Sequence, residues 1–94
     1  MSEHSAQVLR LEGPLTMQTV GGHLHEGRTR LAAGDLVVDF SAVTGADSAA
    51  VALIFDWLRV AAVSGHSLSV RALPDGLRSL ASLYGVDALL PSEA

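Results

Sequence analysis

The sequence predicts an α/β domain with a mostly parallel sheet and flanking helices. Three observations carry this prediction. Apolar runs of strand character alternate with stretches of helical periodicity, in the order β-α-β-α-β-α. Leu36 to Phe40 (LVVDF) is a nearly continuous apolar run, as in strands covered on both faces. Ser67 to Leu73 (SLSVRAL) alternates cleanly after a helix long enough to serve as a crossover. Strands linked by helices pair in parallel with right-handed crossovers. A chain of 94 residues suits one domain, spanning 1–94, with one modest core.

Residues 1–6 read as a flexible end or a short edge strand. Gln7 to Leu11 (QVLRL) reads as the first strand, with Val8, Leu9 and Leu11 as its apolar members. Glu12-Gly13-Pro14 is expected to break it. Leu15-Thr16 then opens a helical stretch with Thr16 as candidate N-cap. Met17, Val20, Leu24 and Leu31 recur at helical spacing and can share one face. Gly21-Gly22 weakens this helix by roughly 1 kcal/mol per glycine relative to alanine. Ala32-Ala33-Gly34 ends it.

After the LVVDF strand, Ser41 to Asp47 reads as a polar loop containing a glycine, followed by a helix from Ser48 to Ser64. In the third strand Leu68, Val70 and Ala72 point one way. Pro74-Asp75-Gly76 turns into a third helix with a stripe of Leu77, Leu80, Ala81 and Tyr84, and Gly85 is its C′ residue. The tail VDALLP is expected to pack or fray.

Composition excludes several function classes. Apolar residues make up 49% of the chain, with one Trp, one Tyr and two Phe, so the core is built from Leu, Val and Ala. There is no cysteine, which removes disulfides and thiolate metal sites. The opening MSEHSAQ lacks a basic-then-apolar leader pattern. The longest apolar run, Ala49 to Phe55, is far below the ~20 residues of a membrane span. A soluble, cytoplasmic protein is expected. Net charge is −4, with six Arg and no Lys, and no basic stripe points to nucleic acid or anionic lipid.

Catalytic patterns are equally thin. Neither GxxxxGK[ST] nor GxGxxG occurs, and GxSxG is absent, so Ser48 does not sit on that nucleophile elbow. His23 and His25 are two apart and diverge on a helix, a poor metal pair that reads as solvated surface. His66 falls in a turn and His4 in the tail. No metal or cofactor site is expected. Asp39, inside an apolar strand, reads as a structural residue that ties down the following loop by hydrogen bonds.

Asp47-Ser48 stands apart, because it places an acid and a hydroxyl at the mouth of the most apolar helix. Either residue can cap the helix, a contribution of ~1 kcal/mol, although no Glu or Gln completes a capping box. The same place is open to a partner contact or to phosphorylation, since a helix N-terminus favours negative charge. Asp56 and Arg59 mark one face of the helix, with Ala49, Ala52 and Val60 or Val63 nearby. So little charge on an outward face fits either a protein-binding surface or a tightly buried helix.

The segment VVDFSAVTGADSAAVALIFDWLRVAAVSGHSLSVRALPDGLRSLASLYGVDALL resembles a STAS domain, the fold of the anti-sigma factor antagonists. The resemblance spans residues 36 to 90 and, more loosely, LEGPLT from Leu11 to Thr16. Within that family DSAAVALIFDWLR and LPDGLRSLASLYGVDALL are similar to the MlaB-like cytoplasmic subunit of the Mla phospholipid-transport ABC complex. The resemblance implies a non-enzymatic subunit, without cofactor, that binds the complex's ATPase, with permease and substrate-binding subunits beside it. It implies a place at the inner face of the inner membrane of a Gram-negative envelope, and membrane association only through the complex. Ser48 matches the family's phosphoacceptor or ATPase-contact position, with Asp47, Ala49, Ala52 and Asp56 around it. The alternative is an anti-sigma factor antagonist controlled by phosphorylation of Ser48 through an anti-sigma factor kinase. Ala49-Ala50 follows where sigma-regulating members often carry Ser-Gly or Gly-Gly, which speaks against that kinase. The short N-terminal region predicts an incomplete or displaced first strand, and the apolar helix face permits a homodimer in isolation.

Overall fold

A computed structural model describes residues 7–85. It is an α/β fold: β1 (Gln7–Leu15), α1 (Gly21–Ala33), β2 (Leu36–Ala46), α2 (Ser48–Ser64), β3 (Leu68–Arg71) and α3 (Asp75–Leu83). The three strands form one sheet in the order β1-β2-β3, and both pairings are parallel. Two successive right-handed crossovers in one direction place α1 and α2 on the same face of the sheet. There they pack against each other, and α3 packs on α2 and β2.

The strands have two unlike faces. Leu9 and Leu11, Leu36, Val38 and Phe40, and Leu68 and Val70 point to the helices and form one buried cluster with Leu31, Ile54, Trp57 and Leu77. On the other face Val8, Val37 and Ser69 lie in register, as do Arg10, Asp39 and Arg71. Val37 is buried there, while Val8 is exposed, so Val8 is not a core member of its strand. The Asp39 carboxylate accepts the Ser41 N–H at 2.9 Å. That bond, with Arg71 and Arg10 beside it, holds the Asp39 carboxyl below its ordinary range.

Several boundaries differ from the sequence expectation. Glu12-Gly13-Pro14 does not end β1. The pairing shifts register between Arg10 and Glu12 and again between Gly13 and Pro14, and the strand runs on to the fully buried Leu15. Gly13 takes φ +76°, a conformation that suits glycine at a bulge, and Pro14 is tolerated because, among the described residues, β1 is paired on one side only. Within the described residues β1 therefore runs for nine residues, from Gln7 to Leu15. Likewise Ser41 to Ala46 is not loop but the continuation of β2, paired with β1 well beyond the last β3 partner. Polar residues survive in it because the two-stranded extension leaves Ser41, Thr44 and Gly45 exposed.

Thr16 does not cap α1. Thr16 to Val20 form a turn in which Thr19 Oγ1 accepts the Thr16 N–H at 2.8 Å and donates to the Pro14 carbonyl at 2.7 Å. The helix begins only at Gly21, with Val20 at the N-cap and no side-chain cap. Gly21-Gly22 therefore opens the helix rather than interrupting it. Met17 falls in the turn and is 75% exposed, so it does not join the buried stripe. Gly34 ends α1 and α2 spans Ser48–Ser64, as the sequence predicts. β3 stops at Arg71, because Ala72 turns out with φ +59°. In α3, Leu77 and Ala81 are buried and Leu80 is partly so. Tyr84 lies past the helix end and is 53% exposed, and Gly85 follows at φ +73°. The expectations for residues 1–6 and for the tail lie outside the described residues.

Candidate functional site

The site is built around the start of α2. Asp47 sits at the N-cap in extended geometry, and its Oδ1 accepts the Ala49 N–H at 2.8 Å. Its own N–H donates to the Leu15 carbonyl at 3.1 Å, tying the end of β1 to the head of the helix. Capping thus falls to Asp47 and leaves the next residue outside that role. Ser48 is exposed, and its hydroxyl makes no hydrogen bond among the described residues. Asp47→Ala should cost about 1 kcal/mol of stability in chemical denaturation. An unchanged midpoint would mean that another group satisfies the first turn.

Along α2, Ser48, Ala52, Phe55 and Arg59 form the outward ridge, all exposed. A hollow of about 400 Å³ lies between this ridge and α1, lined chiefly by Met17, Val20, Leu24, Ala52 and Leu53. A second, of about 300 Å³, lies between the ridge and the end of α3, lined by Ser48, Val51, Ala52, Phe55 and Tyr84. Ser48 and Ala52 border both.

The residues singled out in sequence divide by position. Ser48 and Ala52 are on the ridge. Ala49 is buried and forms a wall of the first hollow, so it is not on the outward surface. Asp56 closes the same hollow, with its side chain only 11% exposed. Arg28 reaches it from α1 with two bonds, Nε to Oδ2 at 2.8 Å and Nη2 to Oδ1 at 2.7 Å, and Arg59 adds a third at 3.1 Å. This hydrogen bonding, with Arg28 first, pulls the Asp56 carboxyl below its ordinary range. Val60 is half-buried and Val63 exposed. Asp39 is not part of this site: it lies on the sheet face turned away from the helices.

Sequence reasoning missed Phe55, which is 44% exposed on the ridge, and the flanking Met17 and Tyr84. Helical phase places Phe55 seven residues after Ser48, on its face, which is a readable signal. Met17 and Tyr84 come from a turn and a helix end, whose positions no periodicity fixes. The anchor beneath the site was also missed. Trp57 Nε1 donates to the Leu24 carbonyl at 3.1 Å, and its ring lies against Gly27 of α1. His66 likewise does more than occupy a turn, since its Nδ1 donates to the Leu31 carbonyl. His23 is half-buried and His25 exposed. Among the described residues no three His, Asp or Glu side chains converge on a possible metal site. None of their helices is long and apolar enough to cross a membrane.

The fold and site define a small parallel α/β domain that presents a capped helix start between two apolar hollows. The chain belongs to the MlaB-like STAS family: the family model described as "Mlab, STAS domain" matches residues 2–91. Two solved structures share the fold. The anti-sigma factor antagonist SpoIIAA in its unphosphorylated form aligns with a TM-score of 0.77 at 15% identity, covering 99% of this chain and 85% of that one. The Bacillus cell fate determinant SpoIIAA in the phosphorylated form aligns with a TM-score of 0.71 at 17% identity, covering 93% and 81%. No curated protein matches the chain.

Proposed function

We propose that this STAS domain is a non-enzymatic subunit that docks on the ATPase of a phospholipid-transport ABC complex. It would regulate or stabilise that ATPase in maintaining outer-membrane lipid asymmetry. One observation carries the reading: the exposed ridge beginning at Ser48, with an apolar hollow on each side. Around Ser48, Ala52 and Phe55 this surface is uncharged and low in side-chain entropy, which suits burial against a protein. Ser48 and Ala52 make the contact. Asp47 fixes the helix head, Ala49 shapes one hollow, and Asp56 holds α1 against α2. The chain works at the cytoplasmic face of the inner membrane, held there by the ATPase and the permease.

The test is titration calorimetry with the cognate ATPase subunit. Ser48→Arg places an unpaired charge at the centre of the contact and should weaken binding at least about a hundredfold (~2.7 kcal/mol). Circular dichroism should show an unchanged fold, since Ser48 is exposed. Equal affinity of the variant and the parent would sink the reading.

A second reading has its own support. The fold matches SpoIIAA in both phosphorylated and unphosphorylated forms, and the Ser48 hydroxyl is exposed at a helix start. On this reading the protein is an anti-sigma factor antagonist switched by phosphorylation of Ser48. Stoichiometric phosphate on Ser48 after incubation with a cognate anti-sigma factor kinase and ATP would favour it over the transporter role.

A further inference from the structure

The ridge has a polarity along its length that bears on what binds it. At its lower end Arg28 and Arg59 share a single carboxylate, that of Asp56. The cluster therefore carries one uncompensated positive charge, in a chain whose net charge is −4. Arg59 is the outermost member: its side chain is 74% exposed and spends one Nη2 bond on Asp56. The other acid at the ridge, Asp47, is at the opposite end and is occupied in capping. On α1, Glu26 is already paired with Arg30.

The middle of the ridge is shaped for a helix. Ala52 is small, and the hollows on its two sides are apolar. A helix laid across such a ridge can straddle it with one bulky side chain on each side, as in ridges-into-grooves packing.

We infer that the occupant of this surface is an amphipathic helix of the partner ATPase. It inserts two bulky apolar side chains, one into each hollow beside Ala52, and carries an acidic residue that meets Arg59. This rests on the docking reading above and adds to it the chemistry of the partner segment. The carboxylate fixes the direction in which the partner helix lies, because among the described residues the ridge has its exposed cation, Arg59, at one end and the Asp47 cap at the other. Its contribution is felt first in the encounter, since complementary rim charges raise association rates and are screened by salt.

The experiment measures association rates of the full chain with the cognate ATPase subunit by surface plasmon resonance, at low and high salt. Arg59 is chosen over Arg28 because Arg28 clamps α1 to α2. Arg59→Glu should slow association by about tenfold at low salt, with the difference shrinking at high salt. Arg59→Gln, which removes the charge without reversing it, should give a smaller fall in the same direction. Thermal melts should match the parent for both variants.

If Ser48→Arg abolishes binding while both Arg59 variants associate at the parent's rate, the acidic-helix inference fails and the docking reading stands. Faster association of Arg59→Glu would mean a basic partner segment and overturn the inference. Absence of any binding by the unmodified chain would overturn both.

Discussion

Gly27→Ala should destabilise the domain by about 2–3 kcal/mol, although the same change in an open helix stabilises by about 1 kcal/mol. The sign comes from Trp57. A Cβ at position 27 would fall within the space of the indole, against its Cε2, Nε1 and Cζ2 atoms. The clashing partner is a rigid ring with no flexible end to move aside. Trp57 is also fully buried and held by its bond to the Leu24 carbonyl. Accommodation therefore requires α1 to lift from α2, which would disturb the hydrogen bond and the Arg28–Asp56 pair together. Urea unfolding followed by circular dichroism gives the number. The double variant Gly27→Ala/Trp57→Leu should lose less than the sum of its single changes, since the smaller side chain clears the space. A Gly27→Ala protein as stable as the parent would show that the helices separate freely.

How much of this was legible beforehand differs by element. α2 was readable because an acid and a serine mark its start and the sixteen further residues keep one apolar phase. β2 was readable in its first half, where Leu36, Val37, Val38 and Phe40 are buried. Its second half was not, since a strand paired on one side only can carry Ser, Thr and Gly like a loop. β1 was cut short at Gly13-Pro14 because a bulge and a break share the same residues, and only pairing with β2 separates them.

The candidate site shows the same division. Ser48 and Ala52 follow from helical phase, but the hollows beside them do not. These are made by Met17 from a turn and Tyr84 from a helix end, brought to α2 by the crossovers. Asp56 was legible as polar but not as paired, because Arg28 lies 28 residues away in sequence. The Gly27–Trp57 contact was silent for the same reason: a glycine inside a helix signals weakness until its neighbour across the interface is known.

Trp57→Ala should cost about 3–5 kcal/mol, the usual range for truncating a large buried aromatic. That is a sizeable part of the roughly 5–15 kcal/mol available to a small domain, so the variant is expected to melt far below the parent or to lack cooperative unfolding at room temperature. Trp57 is the one tryptophan in the chain, which makes circular dichroism the right readout for its variants. Trp57→Phe separates two contributions. It keeps most of the apolar volume and removes the N–H that reaches the Leu24 carbonyl, so its cost should stay near 1–2 kcal/mol. The Leu24 carbonyl remains within the backbone ladder of α1 and is not left bare. If the docking surface depends on how α1 and α2 sit, Trp57→Phe should bind the ATPase more weakly than the parent while remaining folded, because it loosens the joint beneath the first hollow without touching a ridge residue. If Trp57→Ala cost less than about 1 kcal/mol, the indole could not be what fixes the two helices, and the geometry of the hollow would have to come from the Arg28–Asp56 pair at its end.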